Sequence, residues 1–86
     1  MPIISTFYGI IITMNWDEHN PPHFHARYAG KKAMFSILNL SIMEGNLDRR
    51  ATALILEWAF LHRDKLKENW ELVMTNQMPN PITPLE

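Results

Sequence analysis

The stretch Phe7-Tyr8-Gly9-Ile10-Ile11-Ile12-Thr13-Met14-Asn15-Trp16 decides the fold class. It is rich in isoleucine and aromatic residues and holds no proline, the composition of a strand. Read as one strand, it places Tyr8, Ile10, Ile12, Met14 and Trp16 on one face and Phe7, Ile11 and Thr13 on the other. Both faces are largely apolar, which predicts a central place in a sheet. Asp17-Glu18-His19-Asn20-Pro21-Pro22 then breaks the pattern. Two prolines lack amide donors, and a residue before proline is driven out of the helical region. The result is a stiff, extended loop from which the chain can turn back into the sheet.

Working outward, His23 to Tyr28 reads as the second strand and Gly30 as a turn. Ala33 to Leu38 reads as the third strand, Asn39-Leu40 as a tight turn and Ser41 to Glu44 as a short fourth strand. Beyond Gly45 the period changes. Asn46 or Asp48 can cap a helix, because either side chain accepts from first-turn amides. Apolar residues follow at Ala51, Leu54, Ile55, Trp58, Ala59, Leu61, Leu66, Trp70 and Val73, close to helical spacing. The pattern allows one long helix, or two with a bend near His62-Arg63-Asp64. Pro79, Pro81 and Pro84 forbid helix beyond Thr75. The expectation is a single α+β domain over residues 1–76. It is a small antiparallel β-meander of three to four strands packed against one long or two consecutive C-terminal helices. A Pro-rich tail, 77–86, is expected to be loose or bound to a partner.

Eighty-six residues leave room for one core. Hydrophobic residues at 47% and charged residues at 20% argue against disorder. Eight basic against nine acidic residues, a net charge of -1, exclude a strongly basic nucleic-acid coat protein. Cysteine is absent, which removes disulfides, zinc fingers, iron–sulfur clusters and thiol nucleophiles. Any metal site must use His, Asp, Glu or Asn. Met1-Pro2-Ile3-Ile4-Ser5 has no basic leader region, and the apolar stretch Tyr8 to Met14 falls short of the ~20 residues of a membrane span. These features predict a cytoplasmic chain without a membrane partner.

The chemistry concentrates in three histidines within seven residues, His19, His23 and His25. Residues two apart on a strand share a face, so His23, His25 and Arg27 project together while Phe24, Ala26 and Tyr28 face the core. Such a row, reached by solvent, can bind a transition metal with His19 or a carboxylate as third ligand. It can also act as an acid–base pair, or bind phosphate together with Arg27. Its plainest reading is a polar sheet face on which one histidine bonds a neighbouring backbone. Arg49-Arg50 opens the helix, where free amides already favour anions, and could hold a phosphate; equally, both could simply be solvated. Trp58 and Trp70 fall on the apolar stripe and read as core, with His62 at its edge. No phosphate loop, dinucleotide fingerprint or serine nucleophile elbow is present.

Several of these residues carry a family likeness. Phe7-Tyr8-Gly9-Ile10, His19-Asn20-Pro21-Pro22-His23-Phe24-His25-Ala26, Glu44-Gly45, Arg49-Arg50-Ala51, Glu57-Trp58, His62-Arg63 and Asn69-Trp70 resemble the bacterial family known as domain of unknown function 4160. The likeness runs from the first residue to about Met74. It implies a small cytoplasmic protein encoded beside a member of domain of unknown function 2442, in an arrangement resembling a toxin–antitoxin pair. The small protein from the adjacent gene is then the expected partner, RNA is a further one, and a homo-oligomer is compatible. On this view the chain is a toxin acting on RNA or a nucleotide without a cofactor. His23 and His25 would be general acid and base, Arg27 would complete the catalytic set, and His19, Arg49 and Arg50 would contact phosphate. One alternative is a non-enzymatic module, an antitoxin or regulator, that binds a partner through its sheet edge or its tail. A second is a metal-binding protein using His19, His23 and His25.

Overall fold

Tyr8 and Gly9 both take positive φ, 51° and 80°. Positive φ at two successive residues marks the hairpin turn whose twist matches that of its flanking strands. In the computed structural model, which describes residues 2–86, the opening run is therefore a hairpin and not one strand. Strand β1 (Ile3–Phe7) pairs antiparallel with β2 (Ile10–Thr13), with Phe7 opposite Ile10. Phe7 thereby joins Ile10 in the core, contrary to the face expected for an uninterrupted strand.

The chain continues through β3 (His23–Tyr28), β4 (Lys31–Ser36), β5 (Ile42–Gly45), α1 (Arg49–Leu61) and α2 (Arg63–Met74). The sheet is an antiparallel meander in the order β1-β2-β3-β4-β5, five strands against the three to four expected. A second two-residue turn, Ala29-Gly30, has φ of 51° and 78°. It starts β4 directly at Lys31, earlier than the expected Ala33. Ile37 has left the strand and donates its amide to Pro22 O at 3.0 Å.

One face of the sheet is the core. Phe24 stacks on its cross-strand partner Phe35 at 5.3 Å, and the Trp58 ring of α1 stands over Phe7 and Phe24 at 5.3 and 5.8 Å. Asp48 begins α1 by accepting from the Ala51 amide at 2.7 Å. The buried stripe Ala51, Ile55, Trp58 and Ala59 has the spacing of one helix face. At His62 the backbone leaves helical values (φ -119°, ψ 25°), so two consecutive helices form.

Residues 77–86 do not hang loose. Ile82 is buried and donates its amide to Ile4 O at 2.8 Å. The Trp58 indole donates to Thr83 O at 2.9 Å, and the Asn69 side chain exchanges two 2.8 Å bonds with the Asn80 backbone. The reason is polar accounting. Trp58 and Asn69 are buried donors that need partners, and the tail's backbone supplies them. Among the described residues no helix is long and apolar enough to cross a membrane.

Candidate metal centre

Strand alternation places His23, His25 and Arg27 on the sheet face opposite Phe24 and Ala26. The two imidazoles stand side by side, ring centroids 5.3 Å apart and edge to face. They differ in access. The His25 side chain is 24% exposed, whereas that of His23 is 5% exposed. The Trp70 ring of α2 lies 5.0 Å from His23. The expectation of two rings reached equally by solvent is therefore corrected: a core tryptophan packs against the first residue of the strand.

Hydrogen bonding selects the tautomer of the neutral His23 ring. Its Nδ1 lies 2.8 Å from Pro21 O. A carbonyl only accepts, so Nδ1 carries the hydrogen, and in the neutral ring Nε2 is a bare lone pair. That Nε2 is buried, has no hydrogen-bond partner, and lies 3.6 Å from Glu18 Oε1. His25 Nε2 donates to the same oxygen at 2.8 Å, and Asn15 Nδ2 donates to it at 3.4 Å. The ligand atoms of Glu18, His23 and His25 all lie within 4.8 Å of one another. Partial burial pushes the Glu18 carboxyl upward, but the hydrogen bonds from His25 and Asn15 and the adjoining imidazoles outweigh it. The carboxyl is held below its ordinary 4.5.

Glu18 reaches this point on the loop between β2 and β3. The loop is pinned at Trp16, whose indole donates to Gln77 O at 3.0 Å, and at Pro22, which accepts from Ile37. Its Asn20–Pro21 peptide is cis. Of the residues expected at the site, His19 is exposed and outside the cluster, and Glu18 stands in its place. Arg27 is exposed at the next position on the face. Arg49 and Arg50 are exposed at the start of α1, and Arg50 lines a separate cavity of about 270 Å³ with Tyr8, Ile10 and Tyr28. The Asp48 side chain already takes one first-turn amide there, that of Ala51. Glu18 was readable only as an acid five residues before a His-x-His pair, with rigid prolines between to bring it back.

Two imidazoles and a carboxylate suit a borderline transition ion such as zinc or iron(II). Ligands at 2.0–2.1 Å from a tetrahedral ion lie about 3.3 Å from each other, and the observed 2.8 and 3.6 Å separations bracket that value. The Nδ1–H bond from His23 to a carbonyl is the outer contact that orients ligating histidines. The sequence model of a family described as Domain of unknown function (DUF4160) matches residues 9–71. No curated protein and no solved structure matches the chain.

Proposed function

Starting from the premise that this chain belongs to the DUF4160 family, we propose that it is a transition-metal protein whose centre is Glu18, His23 and His25. The observation that carries the reading is His23 Nε2, a buried lone pair beside a carboxylate with no hydrogen-bond donor to meet it. Leaving such an atom unmet costs about 1–3 kcal/mol, and a bound cation offsets that cost. Two further buried atoms without partners adjoin the triad. Thr13 Oγ1 belongs to the residue paired with His25 across the strands, and Asn15 Oδ1 to the residue that bonds Glu18. Three protein ligands leave a coordination position for water or substrate, as catalytic sites do and closed structural sites do not.

A second reading rests on the 2.8 Å contact itself. Glu18 accepting from His25 Nε2–H leaves His25 Nδ1 as a base, the arrangement of a carboxylate–imidazole dyad working without metal. In either reading, action on RNA or a nucleotide would not run through two free imidazoles, because His23 is covered.

Zinc titration of the purified chain by calorimetry, with elemental analysis of the protein as isolated, separates the two. The metal reading expects one equivalent bound and a loss of about 100-fold or more in affinity for His25→Ala and Glu18→Gln. A wild-type chain that takes up no zinc, iron(II) or other first-row ion overturns it and leaves the dyad.

A further inference from the structure

We infer that the sheet face beside the triad carries a phosphate-binding subsite built on Arg27 and Lys32, which makes the ligand class a phosphate ester. The placement of the ester next to a metal rests on the proposed centre; the subsite itself does not.

Arg27 on β3 and Lys32 on β4 are direct cross-strand partners. Like charges directly opposite each other on a sheet repel. Among the described residues no acidic group pairs with either of them, or with Lys31 beside them. In a chain of net charge -1 this corner is a local excess of cation. It is also concave. Arg27, Lys31, Lys32, Gly30 and Ile11 line a hollow of about 600 Å³. Lys32 is shared with a neighbouring hollow of about 300 Å³, lined by His25, Met34, Glu44 and Gly45. Lys32 thus borders both hollows, and the second of them reaches His25.

The spacing suits one ligand. Arg27 and His25 are successive residues on the same face, about 6.6–6.8 Å apart along the strand. A guanidinium and an ammonium together give a planar fork and a mobile point charge, the usual pair for a phosphate. Met34 and Glu44 are among the residues that line the neighbouring hollow. It offers an apolar surface and one acceptor to the organic part of the ester, while His25 faces the same space.

The test is a titration of the isotope-labelled full chain, followed by amide chemical shifts. The probes are inorganic phosphate, adenosine 5′-monophosphate and adenosine, each with and without zinc. Phosphate and the nucleotide are expected to move amides of residues 26–33, the nucleotide to move 44–45 as well, and adenosine alone to move few. Arg27→Gln with Lys32→Gln should weaken the nucleotide about tenfold or more, and Lys67→Gln on α2 should leave it unchanged. Lys32→Glu turns a repelling pair into an attracting one, so it should keep or raise thermal stability while losing phosphate. Shifts spread over all surface lysines, or affinity indifferent to residues 27 and 32, overturn the subsite. Phosphate that binds only with zinc and ignores the double substitution overturns it too, and leaves the metal centre standing. Binding that depends on residues 27 and 32 without zinc supports the subsite even where the metal centre fails.

Discussion

His25 Nε2 lies 2.8 Å from Glu18 Oε1, a contact between a strand and the loop that precedes it, with Pro21 and Pro22 between the two residues. The same oxygen lies 3.6 Å from His23 Nε2. One carboxylate thus gathers two imidazoles of unequal burial, and the first prediction concerns what that gathering does for stability.

A ligand that binds only the folded chain stabilises it by about 2.7 kcal/mol at one hundred times its dissociation constant. For a domain of this size that is a rise of roughly 10–20 °C in Tm. Zinc should raise the melting temperature of the wild type by this order and leave His25→Ala unmoved. His25 is partly exposed, so the variant should still fold. Identical melting of both proteins with and without zinc would show that no centre forms.

The tail should contribute to stability through Asn69. Asn69→Ala removes both bonds to Asn80 and leaves a buried gap. A loss of about 1–3 kcal/mol in urea unfolding is expected. Amides near Ile82, which bonds Ile4 O, should exchange faster with solvent. Unchanged exchange at Ile82 would mean that the tail is held independently of Asn69.

Gly30 and Gly45 both have positive φ, 78° and 74°, but their surroundings differ. A Cβ at Gly45 would stand 2.5 Å from Lys32 O, a backbone atom, whereas one at Gly30 meets nothing within 4 Å. Gly30→Ala should cost only the conformational penalty, about 1 kcal/mol. Gly45→Ala should cost more, about 2–3 kcal/mol, because β4 and β5 must move apart. Equal losses in the two variants would refute the steric part of this account.

His62 supplies a pH dependence. Burial first, and the Lys65 ammonium second, hold its imidazole below the ordinary 6.5. Below pH 6.5 the unfolded chain therefore binds more protons at this residue than the folded one. The contribution is fully present above pH 6.5 and is lost as the pH falls through the depressed value. The stability of wild type minus His62→Gln, measured by denaturant unfolding at successive pH values, should decline across that window. A difference that stays flat there would exclude the effect.

Much of the fold was legible because its signals are local. The β3 limits, His23 to Tyr28, follow from the prolines ahead of them and the alternation within them. Asp48 was one of two caps that side-chain chemistry allowed, and a bend near His62 one of two readings that the helical spacing allowed; the structure takes both. The Tyr8-Gly9 turn was also written locally, but the apolar residues on either side of it mimic an unbroken strand. Arg27 on the same face as His25 was likewise readable from the two-residue period of a strand.

By itself, then, the amino-acid order determined the α+β class, the meander, and the face on which the two imidazoles stand. Backbone sterics and side-chain period act between near neighbours, and neighbours are what a sequence states. Only the tertiary structure decided that Trp70 packs against His23, that Glu18 and not His19 completes the triad, and that Trp58 and Asn69 hold the tail. Burial and the meeting of ligand atoms depend on contacts between residues far apart in the chain, and those distances exist only once the core has closed.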